Sequence, residues 1–137
     1  MPAKDRYHDA VVRALIKDGW TIVAEQMFVK FAGRRLYIDI QAAKASERLA
    51  ILVEVKGFES MPSPVDYLAD AVGKYVLYLS VLESVAIDAP LYMAVPLAAY
   101  EGFLSERLAQ RTMRRADIKV IVFDPVTEEV TQWIPRV

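Results

Sequence analysis

Three charged side chains lie inside two apolar segments of the sequence. Glu54 and Lys56 belong to ILVEVK at residues 51–56, and Asp39 belongs to LYIDI at residues 36–40. Both segments are rich in Ile, Leu and Val, which is typical of buried strands. Side chains two residues apart on a strand point to the same face, so Glu54 and Lys56 project together. If the two strands pair as a hairpin, Asp39 lies near Glu54.

Two carboxylates in apolar surroundings favour a divalent cation. An unpaired buried charge is costly and neighbouring carboxylates repel each other, and a cation removes both penalties. Carboxylate, backbone carbonyl and water oxygens are the ligands that Mg²⁺ accepts, with Mn²⁺ as a substitute. A cation that polarises a phosphoryl oxygen and activates water is sufficient for phosphodiester hydrolysis, in which Lys56 can position water or stabilise phosphate charge. The alternative is that Lys56 forms a structural ion pair with Glu54 or Asp39.

Composition limits the remaining possibilities. A chain of 137 residues with 55% apolar and 26% charged residues is typical of one globular domain, which we place at residues 1–137. The absence of Cys excludes disulfides, thiolate metal sites and a cysteine nucleophile. We read neither a signal peptide nor a membrane span, so we expect a cytoplasmic protein with no membrane partner. A net charge of −1 restricts any DNA contact to a local patch, to a partner or to weak binding.

The periodicity of the apolar residues predicts an α/β fold with helices on the faces of a sheet. Helices are predicted at residues 5–18, with Asp5 as N-cap, at residues 65–85, and at residues 97–116, which Gly102 can interrupt. The apolar stripe of the long helix is predicted to comprise Leu68, Val72, Tyr75, Val76, Leu79 and Leu82. Strands are predicted at residues 20–23, 27–31, 35–41, 49–56, 91–95, 118–123 and 129–134.

The order of a helix, a hairpin, a strand-borne Asp and then Glu-Val-Lys resembles the core of the PD-(D/E)XK nuclease superfamily, over residues 5–95. The resemblance implies that Asp39 and Glu54 bind the metal ion and that Lys56 completes the catalytic site. An acidic residue of the first helix often joins such sites, and the candidates here are His8 and Asp9.

Two positions depart from the superfamily pattern. Ile38 stands where the superfamily has Pro before the Asp. On the long helix, related nucleases tend to carry Gln, and this chain has Lys74, with Tyr78 one turn later. Lys74 can reach a phosphate or be a plain surface lysine. Both departures bear on cleavage and leave the predicted fold unchanged.

A resemblance to the XisH family spans the whole chain. It is carried by MPAKD (1–5), HDAV (8–11), ALIKDGW (14–20), LYID (36–39), VEVK (53–56), VFDP (122–125) and QWIP (132–135). It implies a restriction-endonuclease-like mixed central sheet flanked by helices, with an added C-terminal hairpin. It also implies a cyanobacterial role in DNA recombination, the control of fdxN element excision, with an XisI-like partner protein and a site-specific recombinase.

Two functions follow from these resemblances. In the first, the chain is a metal-dependent endonuclease of the PD-(D/E)XK type that acts on DNA, as the three converging charges indicate. In the second, it is a non-catalytic regulatory module that keeps the nuclease scaffold and binds XisI, the recombinase or DNA. The net charge of −1 and the residues Ile38 and Lys74 favour the second function.

Basic residues near the predicted site supply candidate contacts with DNA. Lys74 is one, and Arg34 and Arg35 are the others because they flank the turn before Asp39. The exposed end of the long helix and the C-terminal hairpin are candidate contacts for a homo-oligomer.

A second basic group lies on the later helical region. Its residues share one helix face because they are spaced at i, i+4, i+7 and i+8: Arg107, Arg111, Arg114 and Arg115. This face can contact phosphates, or it can be a solvated face that Glu101 and Glu106 balance.

Overall fold

The computed structural model describes residues 6–59 and 62–135. One six-stranded sheet forms the centre of the fold, and its strands follow the order of the chain. The helices and strands are α1 His8–Lys17, β1 Thr21–Phe31, β2 Arg34–Lys44, β3 Leu49–Val55, α2 Pro64–Ser84, β4 Leu91–Pro96, α3 Leu97–Glu101, α4 Arg107–Arg115, β5 Lys119–Asp124 and β6 Glu129–Ile134.

The sheet is mixed. Strands β1, β2 and β3 form an antiparallel meander, and β3, β4 and β5 are parallel neighbours. Parallel neighbours need a crossover connection, which α2 supplies between β3 and β4, and α3 with α4 supplies between β4 and β5. Strand β6 returns antiparallel to β5, which confirms the predicted C-terminal hairpin.

Helix α1 covers one face of the sheet, and α2 with α4 covers the other. The core on the α1 side includes Val11, Ala14, Leu15, Ile51, Val53, Ile121 and Phe123. The core on the α2 side includes Leu68, Ala71, Tyr75, Met113, Leu52, Val120 and Val122. Alternate residues of β3 and β5 therefore face opposite cores, as the pleat of a strand requires. None of the helices in the described ranges is long and apolar enough to cross a membrane.

The hairpin of β1 and β2 extends beyond the end of β3, and its direction changes at Asp39. Pairing of β2 with β3 ends at Ile40, which lies opposite Val53. Ile40 packs in the core on the α1 side, whereas Ile38 packs in the core on the α2 side. Gln26 of β1 lies opposite Asp39 in the register, and its φ of +55° is uncommon for a residue other than Gly. The outer half of the hairpin thus leaves the plane of the sheet at this pair.

One prediction about the strands is wrong. The sequence predicts separate strands at residues 20–23 and 27–31, and the structure has the single strand β1. Ala24 and Glu25 stay paired with Gln41 and Ile40 of β2, because a bulge between Ile22 and Ala24 absorbs the irregularity in the register. The strand therefore bends without ending.

The helices agree with the sequence except in detail. Gly102 does interrupt the third helical region, because α3 ends at Glu101 and Gly102 is its C-cap. The position favours Gly, since a Cβ there would lie 2.9 Å from the Ala98 carbonyl oxygen. Val76, predicted in the apolar stripe of α2, is 46% exposed, because it lies at the edge of the contact between α2 and α4. The predicted N-cap Asp5 lies outside the described residues.

Candidate metal and phosphate site

Asp39 and Glu54 lie side by side where strands β2 and β3 separate. The register that pairs Ile40 with Val53 places Asp39 directly opposite Glu54. Directly opposed residues of antiparallel strands point to the same face and have Cβ atoms about 5 Å apart. Glu54 has the same parity as Leu52, so both carboxylates face the side of the sheet that α2 covers. The predicted proximity of the two acids is a feature of the structure.

Each carboxylate is fixed by the backbone of the opposite strand. The Asp39 amide donates to Glu54 Oε1 at 3.0 Å, and the Val55 amide donates to Asp39 Oδ2 at 2.8 Å. These bonds continue the ladder beyond its last backbone pair and hold both acids in place. Such fixed oxygens cost little further ordering when they bind a ligand.

Burial and the neighbouring carboxylate both oppose ionisation of Glu54. Glu54 is 8% exposed. Burial is the larger cause and Asp39 the second, and together they raise the pKa of Glu54 to about 8. The hydrogen bond from the Asp39 amide and the charges of Lys56 and Lys74 act in the opposite direction on this pKa. The two lysines therefore lie close enough to stabilise negative charge at the site.

Helix α2 supplies the wall of the site opposite the strands. Lys74 and Tyr78 are one helical turn apart, so they lie on the same side of α2. Burial first, and the charges of Glu54 and Asp39 second, raise the pKa of Tyr78 to about 12. Tyr78 consequently keeps its hydroxyl proton at neutral pH and can serve as a hydrogen-bond donor. Lys74 Nζ also lies 3.3 Å from Asp70 at the exposed edge of the helix.

Gln26 is a residue of this region that the sequence analysis missed. It faces Asp39 across β1 and β2, and its side-chain amide is buried with no hydrogen-bond partner among the described residues. An unsatisfied buried amide costs about 1–3 kcal/mol, and a positive φ adds strain of about 1 kcal/mol or more. Strain of this kind clusters at functional sites. No sequence signal marks Gln26, because its role depends on the register of the hairpin.

His8 and Asp9 form a second group with Glu25. His8 is almost fully buried, and its Nε2 lies 2.7 Å from Glu25 Oε1. One ligand atom from each of His8, Asp9 and Glu25 lies within 4.8 Å of the others. Glu25 lies opposite Ile40, so this group is next to Asp39 along the hairpin. Asp39 and Glu54 are not members of the group, and the structure does not merge the predicted auxiliary residues with the carboxylate pair.

The donor set at Asp39 and Glu54 fits a divalent cation. Two fixed carboxylates on neighbouring strands offer oxygen ligands, which Mg²⁺ and Mn²⁺ prefer. A cation would also reverse the penalty that raises the Glu54 pKa, since it favours the ionised form. Lys56, Lys74 and Tyr78 add donors and positive charge for a phosphate group.

Comparison with known proteins agrees with this architecture. A family model described as XisH protein matches residues 1–131. The chain belongs to the XisH family. No curated protein matches it.

Two solved XisH-type structures share the fold over nearly their full lengths. An XisH family protein from Nostoc punctiforme PCC 73102 is 30% identical, with a TM-score of 0.86, covering 94% of this chain and 98% of that one. An fdxN element excision controlling factor protein from Anabaena variabilis is 32% identical, with a TM-score of 0.88, covering 96% of this chain and 99% of that one.

In this XisH-family chain, Arg34 and Arg35 lie away from the carboxylates. They begin β2 at the turn of the hairpin, and Asp39 follows four to five residues later, about 13–17 Å along an extended strand. The Arg35 guanidinium lies 5.7 Å from the centre of the Phe28 ring. Contact of these arginines with DNA therefore requires a ligand that extends along the hairpin.

Proposed function

We propose that this protein controls excision of a DNA element through a Mg²⁺-dependent phosphodiester hydrolase site, for which Mn²⁺ substitutes. The observation that carries the proposal is the carboxylate pair of Asp39 and Glu54, fixed by reciprocal backbone hydrogen bonds with Lys56 and Lys74 nearby. A pair of acids, of which Glu54 is buried and Asp39 half-buried, beside two lysines fits a hydrated cation and a phosphate. A site-specific recombinase and an XisI-like protein are the expected partners on DNA.

The order of elements supports a PD-(D/E)XK assignment. A helix, a three-stranded antiparallel meander, a crossover helix and a parallel strand follow one another as α1, β1, β2, β3, α2 and β4. This order is the one expected of the restriction-endonuclease-like core that the sequence resemblance implies, with β5 and β6 as its added hairpin. The assignment places the metal ligands where β2 and β3 separate, at Asp39 and Glu54.

The residues of the site have distinct roles in the proposed reaction. Asp39 and Glu54 hold the cation, which supplies a polarised phosphoryl oxygen and an activated water. Lys56 positions the water and stabilises the negative charge that develops on the phosphate. Lys74 and the protonated Tyr78 donate to phosphate oxygens, and Gln26 donates to the hydration shell of the cation. His8 and Asp9 group with Glu25 and take no step in this reaction; an auxiliary role for them rests on the sequence resemblance alone.

The proposed activity is tested with cation titration and a nicking assay. Calorimetry with Mg²⁺ or Mn²⁺ measures binding, and supercoiled plasmid DNA measures cleavage. Asp39→Asn, Glu54→Gln and Lys56→Met are expected to lower cleavage at least 100-fold, and the first two also weaken cation binding. Glu83→Gln and Lys30→Met are matched controls on exposed positions and are expected to retain both. Wild-type protein that binds no cation and cuts no DNA, or cleavage that survives Asp39→Asn, contradicts the proposal.

A second candidate function is a non-catalytic regulatory module that binds an XisI-like protein, the recombinase or DNA. It is favoured by the same hydrogen bonds, because a protonated Glu54 and a backbone-bound Asp39 can close the end of the β2–β3 ladder without a cation. A pull-down with purified XisI-like protein and recombinase tests it. Binding that Asp39→Asn and Glu54→Gln leave intact supports this function. Robust cleavage by the chain alone, with no binding to either protein, excludes it.

A further inference from the structure

Four arginines lie on the exposed face of α4. Arg107, Arg111, Arg114 and Arg115 are all exposed, opposite the buried Ala109 and Met113. None of the four makes an ion pair with Glu101, Glu106 or another described residue. The face is therefore a stripe of uncompensated positive charge on a nine-residue helix.

Helix stability does not account for this stripe. Arg114 and Arg115 lie in the last turn, where positive charge interacts favourably with the helix dipole. Arg107 is the first helical residue, where positive charge is unfavourable. Repulsion among four neighbouring cations also opposes the arrangement.

An apolar groove runs between the arginines and α2. Its floor is formed by Val72, Val76 and Leu108, and Arg111, Arg114 and Arg115 line it on the α4 side. The groove is open, with a volume of about 970 Å³. Val76 is 46% and Leu108 is 55% exposed. No Asp or Glu is among the described residues that line it.

The groove is separate from the carboxylate site. Successive residues of a helix are about 100° apart, which places Val72 and Val76 on one flank of α2 and Lys74 and Tyr78 on the other. The second flank faces Glu54. A ligand can therefore occupy the groove without entering the site.

We propose that this groove binds an acidic amphipathic helix of a partner protein. The uncompensated arginines complement acidic side chains, and the exposed Val76 and Leu108 accept apolar side chains at helical spacing, as grooves that bind helices do. A DNA backbone matches the arginines but leaves the apolar floor without a partner. The inference does not depend on the proposed catalytic activity, because no residue of the groove belongs to the carboxylate site.

The proposal is tested with a defined probe. The probe is a fluorescein-labelled 18-residue helical peptide with Leu on one face and Glu on the other. A peptide of the same composition in scrambled order, and a labelled 20-base-pair DNA duplex, serve as comparison ligands. Fluorescence anisotropy measures binding to wild type, to Val76→Asp with Leu108→Asp, and to Arg111→Glu with Arg115→Glu. Val23→Asp and Lys30→Glu are control changes of the same types on the exposed surface of β1.

We expect the amphipathic peptide to bind wild type at least 10-fold more tightly than its scrambled form. Both groove variants are expected to lose at least 10-fold in affinity, and both controls to retain it, with circular dichroism spectra unchanged throughout. Equal binding of the two peptides, no binding, or loss in the controls contradicts the proposal. DNA binding that depends on the arginines and not on Leu108 assigns the stripe to phosphate instead. Self-association that Leu108→Asp abolishes assigns the groove to a second copy of the chain.

Discussion

The side chain of Glu54 links the stability of the fold to the chemistry of the site. Its pKa is about 8 in the folded protein, whereas an exposed Glu titrates near 4.3. Between these two pH values the folded state binds one more proton than the unfolded state, so the free energy of unfolding falls as pH rises. The contribution is fully present below about pH 4.5 and is lost as pH rises through 8.

Replacement of Glu54 by Gln is expected to remove this pH dependence. Each pKa unit corresponds to about 1.4 kcal/mol, so the difference between wild type and Glu54→Gln changes by up to roughly 5 kcal/mol across the window. Urea unfolding of the cation-free protein from pH 4 to pH 9 measures it. Glu83→Gln is the control, and we expect it to follow the wild-type profile. Parallel profiles for wild type and Glu54→Gln would show that Glu54 ionises normally in the fold.

Replacement of Gln26 is expected to lower the affinity for Mg²⁺ without lowering the free energy of unfolding. Gln26→Gly relieves the positive φ and removes a buried amide that has no partner in the described part of the chain, so the stability of the cation-free protein is unchanged or rises by about 1 kcal/mol. Affinity for Mg²⁺ is expected to fall several-fold, because the proposed donor to the hydration shell of the cation is lost. Arg48→Gly is a matched control, since Arg48 also has a positive φ of 54° but lies exposed in the β2–β3 connection. Equal Mg²⁺ affinity in both variants removes Gln26 from the site.

At the scale of the elements, Tyr75 ties α2 to the sheet. Its hydroxyl donates to the Leu91 carbonyl at 2.6 Å and accepts from the Lys119 amide at 3.2 Å. The first bond reaches the start of β4 and the second reaches the start of β5. The position of α2, and with it the position of Lys74 and Tyr78, depends on this link.

Tyr75→Phe is expected to destabilise the protein by about 1–3 kcal/mol, because the carbonyl and the amide lose their partner. Thermal and urea unfolding measure the loss. Tyr100→Phe, at a half-buried tyrosine of α3, is the control and is expected to change stability by less than about 0.5 kcal/mol. An equal effect of the two substitutions contradicts the role of the hydroxyl.

The elements with a strong period could be predicted from the sequence, and those shaped by register could not. The nearly continuous apolar run at residues 49–55 and the long apolar stripe of α2 identify their elements directly. The continuity of β1 could not be predicted, because Ala24 and Glu25 have low strand propensity and are held in the strand by pairing with Gln41 and Ile40 of β2. Val76 was misassigned because periodicity gives a buried face and does not say how closely α4 approaches it.

In the candidate site, too, some residues could be predicted from the sequence and others could not. Asp39, Glu54 and Lys56 could be predicted because charged residues within apolar strands are uncommon and therefore conspicuous. The grouping of His8 with Glu25, and the position of Gln26 opposite Asp39, depend on contacts between segments far apart in the sequence. Such contacts leave no pattern in one sequence.

At the scale of the whole molecule, charge is distributed unevenly despite a net charge of −1. One flank of α2 faces the carboxylate pair, and the other faces an apolar groove lined by arginines. Under the proposed function, these two surfaces can bind different partners separately. The two groove variants are therefore expected to bind cations as the wild type does, and calorimetry measures this. An equal loss of cation affinity in both groove variants would show that the two surfaces are coupled.

The central claim is that Asp39 and Glu54 share one cation. Crystals soaked in Mn²⁺ test it directly, because the ion gives an anomalous difference peak at its own position. We expect one Mn²⁺ peak within about 2 Å of carboxylate oxygens of both residues. We also expect Asp39→Asn to abolish this peak. A peak between His8 and Glu25 with none at Asp39 would contradict the claim. So would the absence of any peak in crystals soaked at saturating Mn²⁺.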